Sequence, residues 1–248
     1  MTTLKSRREI ETMKAAGAIS AQALALVGQA VRPGVTTSQL DAIAKAYIQK
    51  SGAVPSFLGY NGYPATICAS VNGEVVHGIP GNRVLKDGDI VSIDLGAKYK
   101  GYHGDNAKTY AVGQIDKEAQ RLIDVTEKSF YAGMDAFIEG DRLVKISAAV
   151  QNTAEAAGFS VVRELVGHGI GQDMHEEPNV PNFVTRHKGP RLTVGMVLAI
   201  EPMINAGAAQ TATQSDGWTV VTKDGGLSSH YEHTVALTEN GPEILTKV

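Results

Sequence analysis

Near the start of the chain, apolar residues recur every three or four positions, with polar residues between them. The recurring positions are Ile10, Met13, Ala16, Ile19, Ala23 and Leu26. This spacing predicts an amphipathic helix over about 6–30, which Arg32-Pro33-Gly34 would end.

Similar spacing predicts three further helices. Thr36 to Ser38 offer an N-cap for a helix that runs through Leu40 and ends near Gly52. Helical spacing returns over 116–136 and, after a turn at Gly140, continues to about residue 157. We interpret all four helices as packing elements of the scaffold.

A short continuous apolar run extends from Ile90 to Leu95, between Asp87-Gly88-Asp89 and Gly96. Its length and its β-branched residues predict a buried strand that is closed by Gly96. Asp94 lies inside this run. A buried carboxylate is costly unless it is neutralised, hydrogen-bonded or paired with a cation, so Asp94 needs a partner.

Asp105 is a candidate neighbour of Asp94. It follows the turn-forming residues 101–104, and a hairpin there would fold it back beside the strand. Two adjacent carboxylates repel each other, and either a shared proton or a bound metal ion would relieve the repulsion. The alternative is a pair of exposed turn aspartates with no role in a site.

The sequence motif around Asp94 occurs twice in the chain. Residues 192–201 match residues 85–94 as Leu-x-x-Gly-x-apolar-apolar-x-Ile-acid, and the helices upstream follow nearly the same offset. A second acidic strand, at 231–237, corresponds to the one around Asp105. Each half therefore consists of helices followed by strands that carry acids. The four corresponding carboxylates are Asp94, Asp105, Glu201 and Glu232.

Composition restricts the class of protein. The 248 residues suffice for one large domain or two fused halves, and length does not choose between them. With a formal net charge of -3 and no basic run beyond Arg7-Arg8, the chain lacks the footprint of a nucleic-acid-binding protein. The single cysteine, Cys68, excludes an internal disulfide and fits a reducing compartment. No secretory or membrane-spanning segment is visible, so we expect a cytoplasmic protein.

Three histidines are candidates for a site. His77 follows a predicted strand and precedes a Gly/Pro turn, although a single histidine there is more often structural. His168 lies between glycines in Gly167-His168-Gly169-Ile170-Gly171, which would let the backbone pack tightly and leave the imidazole unobstructed. His175 comes seven residues later, and the two would flank a loop over a pocket.

One histidine and four carboxylates form a hard, mostly oxygen ligand set. Five ligands exceed what one ion needs, and they suit two divalent ions that share bridging carboxylates. The imidazole favours manganese, iron, cobalt or zinc over calcium. Two such ions can activate a water molecule and polarise a carbonyl, which is the chemistry of amide hydrolysis. We find no serine-nucleophile or nucleotide-binding motif that competes with this interpretation.

At this point the chain resembles the type I methionine aminopeptidases of the creatinase/prolidase superfamily. The resemblance runs nearly end to end and depends on several motifs: residues 8–17, 70–72, 76–80, 87–94, 104–105, 167–171, 201–202 and 231–234. It implies an α+β pita-bread fold, in which two pseudo-symmetric halves form an antiparallel sheet covered by helices. We therefore expect a single catalytic domain over 1–248, with an internal repeat at about 30–112 and 136–240.

The resemblance also implies a role for each site residue. One ion would be held by Asp94, Asp105 and Glu232, and the other by Asp105, His168, Glu201 and Glu232. A metal-activated water would attack the scissile carbonyl, and Glu201 would accept its proton. His175 would contact the scissile peptide and His77 the amide nitrogen of the substrate. The methionine pocket would be lined by Tyr60, Tyr63, Cys68, Met174 and Trp218, for which core packing is the alternative.

The implied substrate is the N-terminus of a nascent polypeptide, deformylated, with methionine first and a small second residue. The ribosome is a further candidate partner, and we expect a monomer. The spacing of 33 residues between His168 and Glu201 leaves no room for the insertion of type II enzymes. Met174 and Phe57 depart from the residues common in the family, which affects the pocket wall but not the metal ligands.

Three other functions are compatible with parts of this pattern. A proline-directed peptidase shares the fold and the ligands, but such enzymes usually carry an additional amino-terminal domain. A non-enzymatic binding module of this fold would be expected to have lost ligands, whereas all five are present. A two-metal phosphoesterase would need a basic group near the ligands to hold phosphate, and none is evident.

Overall fold

The computed structural model describes residues 2–248. Its helices are α1 (Arg7–Ala30), α2 (Thr37–Lys50), α3 (Lys117–Asp135) and α4 (Val144–Ala156). The four helices predicted from apolar spacing are thus confirmed. α1 and α2 both begin at capping boxes, formed by Ser6 with Glu9 and by Thr36 with Gln39, which satisfy backbone N–H groups that the helix itself leaves free.

The strands are short except for one central hairpin. The first half of the chain contains β1 (Val54–Pro55), β2 (Ile67–Val71), β3 (Glu74–Val76), β4 (Ile90–Tyr99) and β5 (Tyr102–Ala111). The second half contains β6 (Ser160–Val161), β7 (Gly167–Gly169), β8 (Glu176–Val180), β9 (Val197–Ile200), β10 (Met203–Asn205), β11 (Thr211–Thr213), β12 (Val220–Thr222), β13 (Ser228–His230), β14 (Glu232–Thr238) and β15 (Gly241–Ile244).

Nine of these strands form one antiparallel sheet. Its order is β1-β4-β5-β14-β9-β7-β8, with β2 also paired to β4 and β15 to β14. Two three-stranded sheets, β13-β10-β6 and β11-β12-β3, complete the strand layer. β4 and β5 of the first half therefore lie directly beside β14 and β9 of the second.

The helices pack on the sheet in two pairs, each with its own core. α1 and α2 pack on β2 and β4 around Leu40, Ile48 and Ile93, which are fully buried. α3 and α4 pack on β9 and β14 around Phe130 and Leu198. The α+β class predicted from the sequence is confirmed. Within residues 2–248, no helix combines the length and the apolarity that crossing a bilayer would require.

Two details of the central hairpin differ from the sequence prediction. β4 does not end at Gly96 but continues to Tyr99, because β5 pairs with it as far as Tyr99 and β1 pairs with Ala97 and Lys98 on the other side. The turn is also shorter than predicted: Lys100 and Gly101 adopt positive φ angles of 49° and 86°, and pairing resumes at Tyr102. Residues 102–104 thus belong to β5, and Asp105 lies within a strand rather than after a turn.

Candidate metal centre and active site

Strand register brings the carboxylates together. Ala107 of β5 lies opposite Asp94 of β4 on one side and opposite Glu232 of β14 on the other. Asp105 lies two residues before Ala107 on the same strand. Because side chains two residues apart on a strand, and those directly opposite on neighbouring strands, share a face of the sheet, these three carboxylates converge. Glu201 directly follows β9, which also pairs with β14.

His168 joins the carboxylates from β7. Its Nε2 lies 3.5 Å from Glu201 Oε1, and its Nδ1 is 2.9 Å from the Gly169 carbonyl oxygen. A Cβ atom on Gly167 would lie 2.4 Å from the Ala199 carbonyl oxygen, so the glycine is needed for close strand packing, as predicted. His168 is 7% exposed, and its ring centroid lies 4.2 Å from that of His175, yet the side chain borders an internal cavity.

Burial dominates the electrostatics of this cluster. It raises the pKa of Asp94, Glu201 and Glu232 well above the ordinary values, and repulsion from neighbouring carboxylates raises them further. Burial also raises the pKa of Asp105 to about 7. In contrast, burial and the neighbouring His175 lower the pKa of His168 to about 3. At neutral pH the imidazole is therefore neutral and free to act as a ligand.

The residues present fit a divalent cation. Ligand atoms of Asp105, His168 and Glu232 all lie within 4.8 Å of one another. Within residues 2–248, Asp94 Oδ1, Asp105 Oδ1 and Glu232 Oε1 are buried without a hydrogen-bond partner. Buried polar oxygens without partners are costly, and a cation would compensate several of them at once. Carboxylate oxygens with one imidazole nitrogen form a donor set typical of transition-metal sites.

These shifts predict how metal-free protein responds to pH. A carboxylate whose pKa is higher in the folded than in the unfolded state keeps its proton longer when folded, so the free energy of unfolding falls as pH rises through the folded pKa. The buried histidines have lowered pKa values and act in the opposite direction, but only below about pH 6.5, where the unfolded imidazole titrates. Above that pH the contribution of the histidines ends, and the buried carboxylates set the direction of the change in the free energy of unfolding.

We therefore expect the Tm of chelator-treated protein to fall between pH 6.5 and 8.5. Asp105 alone contributes about 1 kcal/mol over this range, or ~3 °C for a chain of this size. The metal-loaded protein should not show this fall, because the cations neutralise the cluster. Differential scanning calorimetry of both forms in the same buffers measures the effect. A Tm difference between the two forms that is independent of pH would contradict the prediction.

A cavity of about 230 Å³ opens beside the carboxylates, and all twelve predicted site residues line it. The carboxylates and His168 form one end. The other end is apolar and is formed by Phe57, Tyr63, Cys68, Met174 and Trp218. Tyr63 and Trp218 meet edge to face with ring centroids 5.1 Å apart. Phe57 lies on the pocket wall, as the resemblance implied, and Asn61 also lines the cavity although the sequence prediction did not include it.

His77 and His175 both line the cavity. His77 has a φ angle of 61°, an uncommon conformation for a residue other than glycine, and its ring lies 6.4 Å from that of Trp218. Burial and the neighbouring His175 lower the pKa of His77, so it is neutral at pH 7. His175 is exposed, and its Nδ1 is hydrogen-bonded to the Tyr60 hydroxyl at 2.7 Å.

His230 is a further residue near the carboxylates that sequence reasoning missed. It ends β13 with 1% exposure, and its Nε2 lies 3.7 Å from Glu201 Oε2. Neither ring nitrogen has a hydrogen-bond partner among residues 2–248. The residue belongs to no motif, and its position two residues before Glu232 was the only signal available in the sequence.

Comparison with known proteins identifies the family. The model of Metallopeptidase family M24 matches residues 11–239, which is most of the chain. The chain belongs to metallopeptidase family M24. It is 54% identical to methionine aminopeptidase 1 of Bacillus subtilis over 248 residues, and the match covers all of both chains.

Solved structures of other proteins share the fold of this chain. The crystal structure of the methionine aminopeptidase from Thermotoga maritima superposes with a TM-score of 0.97 at 44% identity, and the match covers all of both chains. The prolidase from Pyrococcus furiosus shares the fold, with a TM-score of 0.80 at 23% identity; the match covers 99% of this chain and 65% of the prolidase. The predicted pita-bread fold is confirmed.

Proposed function

We propose that this M24 peptidase is a methionine aminopeptidase that removes the initiator methionine from nascent polypeptides with a small second residue. One observation carries the proposal: a single cavity joins a cluster of carboxylates and one imidazole to an apolar end of suitable chemistry for a thioether. The identity to the Bacillus subtilis methionine aminopeptidase over the full chain supports it.

The five residues of the cluster are proposed as the ligands of two divalent cations. Asp94, Asp105 and Glu232 would hold one, and Asp105, His168, Glu201 and Glu232 the other. The central position of Ala107 between Asp94 and Glu232 supports a shared set, because it brings carboxylates of both halves to one face of the sheet. When bound, such ions polarise a carbonyl and lower the pKa of water.

Glu201 is proposed as the group that accepts a proton from the attacking water. Its side chain is 14% exposed, and neutral His168 and His230 lie within 4 Å of its two oxygens. Burial and the charge of Asp105 raise its pKa. The side chain of Glu is one of the groups that act as general bases in enzymes.

The two histidines are proposed to hold the scissile peptide. If the Tyr60 hydroxyl donates to His175 Nδ1, the proton of the neutral ring resides on Nε2, which can donate to the substrate carbonyl oxygen. His77 would contact the amide nitrogen of the substrate. The five pocket residues, Tyr60, Tyr63, Cys68, Met174 and Trp218, would enclose the methionine side chain.

We extend the proposal to the setting of the enzyme. A single domain of two repeated halves, 30–112 and 136–240, is supported by a sheet order in which β4 and β5 lie beside β14 and β9. The single cysteine, which is buried and free, supports the cytoplasm as the compartment. Because the proposed substrates are made at the ribosome, the ribosome is a candidate partner. We propose that the enzyme itself is a monomer.

A peptide panel tests the proposed activity. Met-Gly and Met-Ala peptides should be cleaved with a kcat/KM about 100-fold or more above that of Met-Leu, because a larger second residue would collide with the cavity rim. Peptides of the form Xaa-Pro are the control, because a proline-directed enzyme with the same fold would cleave these instead. Release of free methionine is measured by chromatography. Preference for the Xaa-Pro peptides would reject the proposal in favour of that alternative.

A further inference from the structure

The segment before α1 contains a buried lysine. Lys5 is 6% exposed, and its Nζ lies 2.5 Å from Glu176 Oε2 and 3.2 Å from the Thr3 carbonyl oxygen. Glu176 begins β8 and directly follows His175. Removing two charges from water is costly, so a buried ion pair need not stabilise the folded state. Such a pair can instead serve to fix one conformation of the chain.

The main chain at Lys5 is fixed to the central sheet. The Lys5 N–H donates to the Gly195 carbonyl oxygen at 2.7 Å, and the Gly195 N–H donates to the Leu237 carbonyl oxygen of β14 at 2.9 Å. A Cβ atom on Gly195 would lie 2.9 Å from the Lys5 carbonyl oxygen, which is closer than such contacts occur. Lys5 thus has a firm base from which its side chain reaches Glu176.

The ion pair closes the 171–176 loop. This segment comprises most of the connection from β7 to β8 together with Glu176, the first residue of β8. The Asp173 N–H donates to Glu176 Oε1 at 3.3 Å, and the Gly171 N–H donates to the Asp173 carbonyl oxygen at 3.1 Å. A Cβ atom on Gly171 would lie 2.5 Å from Lys5 Cε, so the lysine stem also packs on the start of the loop. Between these fixed points lie Met174 and His175.

We propose that Lys5 is a positioning residue for the active site: its ion pair with Glu176 holds the 171–176 loop so that His175 meets the scissile peptide. This inference rests on the proposed function, because it takes the role of His175 from there. Lys5 touches neither the cavity nor the cluster of carboxylates. Its effect on the reaction passes through Glu176 and the backbone of the loop.

The first test compares variants of the pair. Lys5→Met leaves the Glu176 carboxylate buried without its cation, and Glu176→Gln removes the acceptor charge. Each should lower kcat/KM by roughly 10- to 100-fold, mainly through kcat, because small misplacements of a group at the reacting bond are costly. The double variant should be no worse than either single one, since both remove the same interaction.

Lys14→Met is the matched control. Lys14 pairs with Glu11 and Glu243 at 2.9 Å on the surface, and the loss of these pairs should change kcat/KM less than twofold.

The second test asks whether Lys5 acts through His175. If it does, Lys5→Met added to His175→Ala should cause no further loss of kcat, whereas independent effects would multiply. Hydrogen exchange supplies a readout that does not depend on activity. Exchange of amides 171–176 should accelerate in Lys5→Met, while amides of α2 exchange as in the unmodified protein.

Several results would overturn the proposal. These are unchanged exchange of amides 171–176 in Lys5→Met, acceleration spread evenly over the whole chain, or multiplication of the Lys5→Met and His175→Ala losses. Faster exchange in the loop with unchanged kcat would also reject a role in catalysis. If the unmodified protein failed to release methionine, the proposed function would fall, whereas the exchange data would still decide whether Lys5 holds the loop.

Discussion

Glu201→Gln is expected to reduce kcat about 10³-fold or more, because the amide cannot accept the proton for which the carboxylate is proposed. The substitution changes neither volume nor shape. It also removes one of four mutually repelling carboxylates, so the Tm of metal-free Glu201→Gln should not fall below that of the unmodified protein. Steady-state kinetics with a Met-Gly peptide at saturating metal, together with calorimetry, provide the measurement.

The control for Glu201→Gln is Glu239→Gln, the same exchange at an exposed site after β14. It should retain full activity. Metal content of both variants is determined in parallel, because Glu201 is also proposed as a ligand. If Glu201→Gln retained more than a tenth of the original kcat, Glu201 would not be the general base.

Removal of divalent metal should abolish activity, and addition of manganese or cobalt should restore it. Carbonyl polarisation and water activation by bound metal lower the barrier by several kcal/mol, so the loss of activity on chelation should reach about 10³-fold or more. Chelation should also lower the Tm at pH 8, where the unneutralised cluster of carboxylates is least stable. Both readouts are taken on one sample before and after dialysis against a chelator.

His168→Ala is the matched variant for this experiment. It lacks the only nitrogen donor proposed for the cluster, so added metal should restore much less activity than in the unmodified protein. Full activity of the chelated protein, with no change in Tm, would rule out hydrolysis that depends on bound cations.

The helices and the carboxylates were predictable from sequence for a physical reason. Periodicity reports which face of a helix is buried, and a carboxylate inside an apolar run indicates by itself that a compensating partner lies nearby. Asp94 illustrates this: its run predicted burial, and the repeat around Glu201 predicted the partners. These signals are local, or depend on comparing two segments of the same chain.

What sequence reasoning missed depends on contacts between distant segments. Part of the pairing that continues β4 beyond Gly96 comes from β1, which lies more than 40 positions earlier in the chain, and Gly96 carries no sign of it. Lys5 is an ordinary polar residue in sequence, and only its approach to Glu176, 171 positions away, makes it unusual. His230 likewise gains meaning from its distance to Glu201. Such features become visible only when the fold places the segments together.

The seam between the two halves has a consequence for biosynthesis. β5 and β14 share only two paired positions, and Thr234 Oγ1 both donates to the Asp105 carbonyl oxygen at 2.9 Å and accepts from the Asp105 N–H at 3.0 Å. Asp105 and Glu232 are separated by 127 residues of sequence (232 − 105). On the proposed ligand set, a growing chain has no complete metal centre until Glu232 has left the translation machinery and β14 has docked. Each new copy of this enzyme is therefore inert for most of its own synthesis.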